Sequence, residues 1–180
     1  MGTEVPEEGV IGMPDRKQYG AVYGIVNKVL TKQYESGVKP GFKALSALIE
    51  AFKQAGNEAY VQDHGFPAAF YQALAMSAAG WFIEEFFGVA SSEDITDALQ
   101  TAWKFHREYI GAGQTIDWDK AVSAASVIAK GHPRYTENFA LIAMVEIEKQ
   151  EKGETSDGKS VSEEAEEAGT TADSNGATGA

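Results

Sequence analysis

The sequence predicts an all-α protein, in which a compact bundle of five or six helices surrounds a central buried helix and an acidic tail follows. In most segments the apolar residues recur every three or four positions, which is typical of helices with one buried face. No segment alternates strictly between polar and apolar residues, as a half-buried strand does. Residues 66–88 form the longest apolar run, so we expect the other helices to pack around it.

The central helix is predicted over residues 67–87. Pro67 suits the first turn of a helix, where its missing N–H is not needed, and Gly88 suits the position after the last turn. Apolar side chains occur on nearly every side of this segment, which predicts a buried helix. Its uncharged part is shorter than the roughly 20 residues that cross a bilayer, and no Lys or Arg flanks it. We therefore expect no membrane partner.

The first two helices are predicted on either side of a Pro-Gly turn. Asp15 can cap the first helix, and Gly37 ends it. The second helix is predicted over residues 42–55, and Gly56 is expected to end it. Residues 57–65 are expected to be irregular, or to form a single turn that leads into the central helix.

The remaining helices also show start signals. An acidic residue three positions after Ser91 resembles a capping box at the start of the fourth helix. This helix carries a stripe of apolar and aromatic positions: Ile95, Ala98, Leu99, Ala102, Trp103, His106, Tyr109 and Ile110. Asp117 can cap a fifth helix, whose expected buried face is Trp118, Ala121, Val122, Ala125 and Ile128. Pro133 opens a sixth helix, in which residues 139–145 are apolar on most sides and the pattern turns charged from Glu146.

The composition divides the chain into three parts. Residues 1–14 form an arm rich in Gly, Pro and Glu, which we expect to be flexible. Residues 15–150 form the helical domain. Residues 151–180 contain no aromatic and almost no aliphatic side chain, so they cannot offset the entropy of ordering and are expected to be a disordered acidic tail. The absence of cysteine and of a signal peptide favours a cytoplasmic protein.

The distribution of charge points to a possible binding face. The net charge of −12 argues against nucleic acid and anionic membranes as partners. The charge is nevertheless segregated, because residues 15–53 are basic and residues 54–103 contain no Lys or Arg. These opposite charges either complement each other within one monomer or join subunits of an assembly. The candidate face for nucleic acid or a partner protein comprises Lys28, Lys32, Lys39 and Lys43.

No pattern of catalytic residues is present. The three histidines are not paired at helical spacing, and no Gly-rich phosphate loop or nucleophile elbow occurs, so we predict no catalytic residue, metal site or cofactor. His106 lies on an apolar stripe, which predicts a buried histidine that is hydrogen-bonded to a carbonyl or a carboxylate. If a ligand or substrate binds, we expect its pocket near His106, Trp103, Glu85 and Tyr109.

Residues 94–149 also carry a set of aromatic and charged positions that resembles known proteins. The set comprises Trp103, Lys104, Phe105, His106, Tyr109, Asp117, Trp118, Arg134, Tyr135, Phe139, Glu146, Ile147 and Glu148. It resembles small helical proteins of Firmicutes and their phages, to which no function is assigned. The resemblance implies a cytoplasmic protein that is associated with a phage or mobile element. It assigns a role to no residue of this chain.

Three functions remain open on the sequence. The segregated charge, the many aromatic residues and the absence of catalytic patterns favour a non-enzymatic protein-interaction or assembly protein, whose partner is another protein or another copy of the chain. A nucleic-acid-binding domain that uses the two basic helices is the first alternative. A small-ligand binder or enzyme with a pocket near His106 is the second.

Overall fold

A computed structural model of the chain describes residues 13–39, 41–86, 92–110, 116–131 and 135–153. These residues confirm the predicted all-α fold, because they form six helices and no strand. The helices are α1 (Arg16–Glu35), α2 (Phe42–Gln62), α3 (Ala68–Phe86), α4 (Ser92–His106), α5 (Trp118–Gly131) and α6 (Tyr135–Glu151). Most of the predicted N-terminal arm, and the predicted tail beyond Gly153, lie outside the described residues.

Asp15 caps α1 as predicted, and together with Gln18 it forms a capping box. The Oδ1 atom of Asp15 accepts a hydrogen bond from the backbone N–H of Gln18 at 2.8 Å, and the Oε1 atom of Gln18 accepts one from the N–H of Asp15 at 2.9 Å. The pair satisfies backbone donors that the first turn of a helix leaves without an intrahelical partner. Gly37 follows the helix with a φ of 67°, a left-handed conformation that favours glycine.

The end of α2 differs from the prediction. Gly56 does not end this helix, which continues to Gln62, so most of the segment predicted to be irregular is helical. A Cβ atom at Gly56 would lie 2.5 Å from the ring of Tyr71, and the Tyr71 hydroxyl donates a hydrogen bond to the carbonyl of Phe52 at 2.6 Å. Gly56 therefore admits the Tyr71 ring of α3 against α2, and it serves packing rather than termination.

The central helix α3 is buried on one side only. Leu74, Ala78 and Trp81 are fully buried, and α3 contacts α1, α2, α4 and α6. The predicted burial of this helix is confirmed, but one face is uncovered, since Ala73 is exposed and 41% of the surface of Met76 is accessible. The reason is that α2 and α6, which both contact α3, do not contact each other within the described residues. One face of α3 is left open between them.

A smaller core joins the last three helices. Its buried members come from α4, α5 and α6: Phe105, Ala125, Ala140, Ala143 and Ile147. Asp117 caps α5 as predicted, since its Oδ1 atom accepts a hydrogen bond from the N–H of Lys120 at 3.1 Å. Val122, predicted on the buried face of α5, is exposed. Among the described helices α5 contacts only α4 and α6, so a narrower face is covered than the sequence predicts.

The fourth helix is shorter than predicted. It ends at His106. The N–H groups of Glu108 and Tyr109 then bond to carbonyls three residues earlier, at 3.2 and 3.1 Å, which makes tight turns rather than α-helix. Ile110 is still buried at the end of the stripe. The predicted helix signals at Gly88, Ser91 and Pro133 lie outside the described residues. No described helix has both the length and the apolar character that crossing a bilayer requires.

Candidate functional site

Four polar side chains from three helices meet inside the bundle. The Tyr19 hydroxyl, on α1, donates a hydrogen bond to the Oε1 atom of Glu146, on α6, at 2.6 Å. The Tyr23 hydroxyl, one turn further along α1, lies 3.2 Å from the Nδ1 atom of His106, at the end of α4. Only 3% of the Glu146 surface is accessible, and His106 is fully buried. We call Tyr19, Tyr23, His106 and Glu146 the buried polar cluster.

Aromatic rings enclose the histidine of this cluster. Ring centroids lie 4.8 Å from His106 for Tyr19, 5.1 Å for Phe70 and 6.5 Å for Trp103. Burial lowers the pKa of His106 to about 3, so the imidazole is neutral at physiological pH. The predicted burial is confirmed, but the hydrogen-bond partner is a phenol rather than the predicted carbonyl or carboxylate. Within the described part of the chain, its Nε2 atom has no hydrogen-bond partner.

The two tyrosines of the cluster remain protonated. Burial and the neighbouring Glu146 carboxylate both raise the pKa of Tyr19, and the same two causes raise the pKa of Tyr23. A phenol that keeps its proton can donate a hydrogen bond, which is what Tyr19 does toward Glu146. Because these groups are buried and bonded to each other, the arrangement stabilises the junction of α1, α4 and α6 rather than presenting reactive groups to a substrate.

The predicted pocket residues are only partly brought together. Trp103 and His106 lie in one aromatic group, in which Trp103 also contacts Tyr23 with ring centroids 5.2 Å apart. Tyr109 instead packs against Phe105 in the smaller core. The side chain of Glu85 lies outside the described residues. The sequence thus identified the histidine and its tryptophan neighbour, and a pocket lined by all four residues stays a prediction.

Three members of the buried polar cluster were not identified as a site from the sequence. Tyr19 and Tyr23 are one turn apart on α1, and this spacing indicates a shared buried face but not the partners of the two hydroxyls. Glu146 marks the point where the sequence of α6 turns charged, but Glu146 and Ile147 are both buried. The available signal was spacing, since Glu146 lies two helical turns after the buried Phe139.

The exposed face of α3 has a surface depression on each side. The larger, of about 590 Å³, lies between α2 and α3, and we call it the α2–α3 groove. It is lined by Phe52, Lys53, Gly56, Asn57, Tyr60, Ala68, Tyr71, Gln72, Ala75 and Met76. The smaller, of about 210 Å³, lies between α3 and α6 and is lined mainly by apolar side chains, with Glu146 and Lys149. His106 lines neither depression.

The groups that line the α2–α3 groove suit binding better than chemistry. The Tyr71 hydroxyl is held by the Phe52 carbonyl, and burial raises the pKa of Tyr71 to about 12, so this phenol stays protonated. Lys53 lies at the edge, where its ammonium is 3.8 Å from a carboxylate oxygen of Glu50. The lining contains no carboxylate or imidazole to form an acid–base pair with these groups. What it offers is apolar surface with amide groups at the rim.

The candidate basic face is exposed. Lys28 and Lys32 lie on α1, while Lys39 and Lys43 lie on either side of the start of α2. Beside them the side chain of Phe42 is 87% exposed. Binding of nucleic acid or a partner to this face stays a prediction.

Neither a metal site nor a known relative points to a function. In the parts of the chain that the structure describes, no group of three His, Cys, Asp or Glu side chains is placed to hold a metal ion. No family model, curated protein or solved structure matches the chain.

Proposed function

We propose that this chain is a non-enzymatic protein-interaction module, which binds an amphipathic helix of a partner protein in the α2–α3 groove. The observation that carries the proposal is that the most apolar helix of the chain has one face open to solvent beside a groove of about 590 Å³. Apolar surface that is exposed in a continuous groove commonly marks a protein-interaction site.

The length of the groove fits a short helix. Its lining extends from Phe52 to Tyr60 on α2 and from Ala68 to Met76 on α3. Each wall covers eight residue steps, or about 12 Å along a helix axis. A partner helix that places apolar side chains at positions i, i+4 and i+7 spans about the same distance. The groove therefore accommodates about two turns of an amphipathic helix.

The side chains at the rim favour a protein partner. Met76 and Tyr60 are both large, apolar and partly exposed, and they lie on opposite walls of the groove. Methionine adapts to differently shaped apolar partners, and tyrosine combines a large apolar ring with a polar group. Asn57 and Gln72 add amide groups that can bond to polar side chains at the edge of a bound helix.

Site-specific photo-crosslinking in the native host tests the proposal. A benzoylphenylalanine placed at Gln72, an exposed position of the groove, is expected to crosslink a partner protein. Mass spectrometry should place the crosslink in a segment with apolar residues at i, i+4 and i+7. The control carries the same probe at Val127, on α5, which is 70% exposed and is not part of the groove. Equal crosslinking from both positions, or none from position 72, would contradict the proposal.

A cytoplasmic location and an association with a phage or mobile element are part of this proposal. They are supported by the absence of cysteine and by the resemblance of residues 94–149 to phage and Firmicutes proteins. Identification of the crosslinked partner tests both, because a secreted or membrane-embedded partner would exclude a cytoplasmic site of action.

Nucleic-acid binding is a second candidate function, and the exposure of Phe42 favours it. An exposed ring next to lysines can stack on a base while the ammonium groups contact phosphates. Filter binding of a single-stranded oligonucleotide at low salt tests this function. Replacing Lys28, Lys32, Lys39 and Lys43 by Gln should remove the binding, whereas unchanged binding would exclude this surface.

A further inference from the structure

The end of the α1–α2 hairpin carries a concentrated positive charge. We call Lys28, Lys32, Lys39 and Lys43 the basic tip. All four side chains are exposed, and none of the ion pairs recorded among the described residues involves them. The exposed Glu35 contributes a single opposing charge at the end of α1. A surface of this kind attracts a flexible polyanion.

The chain itself contains a polyanionic segment of matching charge. Beyond Gly153 the sequence has a single basic residue, Lys159. Within the same stretch it has seven carboxylates: Glu154, Asp157, Glu163, Glu164, Glu166, Glu167 and Asp173. Four of these lie within five consecutive positions, from 163 to 167. These four glutamates equal in number the four lysines of the basic tip, so the two groups can neutralise each other.

The fold places this segment within reach of the basic tip. Glu146, near the end of α6, is bonded to Tyr19, near the start of α1, so the chain leaves α6 beside the first turns of α1. Lys32 follows Tyr19 by 13 residues on the same helix, which is about 20 Å along its axis. Gly153 follows Glu146 by seven residues, which adds about 10 Å because α6 runs antiparallel to α1. The carboxylates at positions 163–167 follow Gly153 by 10–14 residues, which can span up to about 33–46 Å, so they can reach Lys32.

We propose that residues 154–173 bind the basic tip of the same chain. Attachment to α6 gives the segment an effective concentration in the millimolar range, which favours it over a free polyanion. Each exposed charge pair is weak and is screened by salt, so the contact is reversible. The acidic segment therefore competes with any nucleic acid or acidic protein for the basic tip.

Zero-length carbodiimide crosslinking of the full chain tests this proposal. The expected products join Lys28, Lys32, Lys39 or Lys43 to the carboxylates at positions 163–167, and their yield should fall several-fold at about 0.5 M salt. Lys104 and Lys120 are exposed on other helices and serve as internal controls. A mixture of 14N- and 15N-labelled protein distinguishes crosslinks within a chain from crosslinks between chains. Crosslinks that are mainly between chains, or equally frequent at the control lysines, or absent, would overturn the proposal.

A second measurement does not depend on crosslinking chemistry. In the full-length chain, Glu163, Glu164, Glu166 and Glu167 are replaced by Gln, which removes four charges and keeps the length. At low salt, the amide NMR signals of Phe42 and Lys43 should shift relative to the wild type, while those of Lys104 and Lys120 should not. The difference should disappear at high salt. Unchanged signals at the basic tip would show that the acidic segment does not bind there.

Discussion

At the scale of single residues, the buried polar cluster makes the stability of the bundle depend on protonation. Its histidine has no carboxylate among its recorded hydrogen-bond partners, and it is enclosed by rings that cannot compensate a buried positive charge as water does. The folded protein therefore binds a proton at His106 much less readily than the unfolded chain does. The cluster links three helices only while the imidazole is neutral.

The pH dependence of unfolding follows from this histidine. Its pKa is about 3 in the folded state and 6.5 as the ordinary value. Between these values only the unfolded chain binds the proton, so the free energy of unfolding should decrease as the pH falls from 6.5 toward 3. The slope from this group is up to about 1.4 kcal/mol per pH unit, and it vanishes above the ordinary value. Denaturant unfolding measured across this range checks the prediction.

Comparison with two variants isolates the contribution of His106. His106→Gln should flatten the pH dependence, and His64→Gln, which changes an exposed histidine, is the control variant. Parallel curves for the wild type and His106→Gln would show that the histidine is charged, or accessible to water, in the folded protein.

At the scale of elements, α2 and α3 are fitted to each other at Gly56. Inside a helix, alanine normally stabilises the folded state by about 1 kcal/mol relative to glycine, so helix propensity alone predicts that Gly56→Ala stabilises α2. We expect the opposite, a loss of about 1–3 kcal/mol, because the added methyl group would overlap the Tyr71 ring. Chemical denaturation of the variant measures the sign directly.

Gly24→Ala provides the matched control for this prediction. Gly24 also lies inside a helix, but a Cβ atom there would meet nothing within 4 Å. The substitution should therefore stabilise the protein by roughly 0.5–1 kcal/mol, as propensity predicts. If Gly56→Ala stabilised the protein as Gly24→Ala does, the Tyr71 ring could not lie as close to Gly56 as the structure places it.

A helix end or a buried residue could be predicted when the residues that determine it are close together in the sequence. Asp15 and Asp117 cap their helices through bonds to residues three positions away, so the local sequence was sufficient. Gly56 has the same local signature whether it ends a helix or admits a ring from another helix. Only the position of Tyr71, fixed by the packing of α3, separates the two cases. The same holds for Glu146, whose burial depends on Tyr19, a residue 127 positions away.

At the scale of the whole molecule, the proposed function depends on the face of α3 that the neighbouring helices leave uncovered. The apolar composition of α3 predicted a buried helix, and one side is buried among four neighbours. The open face at Ala73 and Met76 exists because α2 and α6 stay apart within the described residues. Periodicity predicts which residues of a helix are apolar, but not which neighbours cover them. The groove could therefore not be predicted from the sequence.

The most direct test of this account is the effect of Met76→Lys on the crosslink formed from position 72 in the native host. Met76 is already 41% exposed, so a lysine there should shift the free energy of unfolding by no more than about 0.5 kcal/mol, while it places a charge in the groove. We predict at least a tenfold loss of the crosslinked partner for Met76→Lys and no loss for Val127→Lys. Equal crosslinking in the wild type and Met76→Lys would contradict the proposal that the open face of α3 is the binding site.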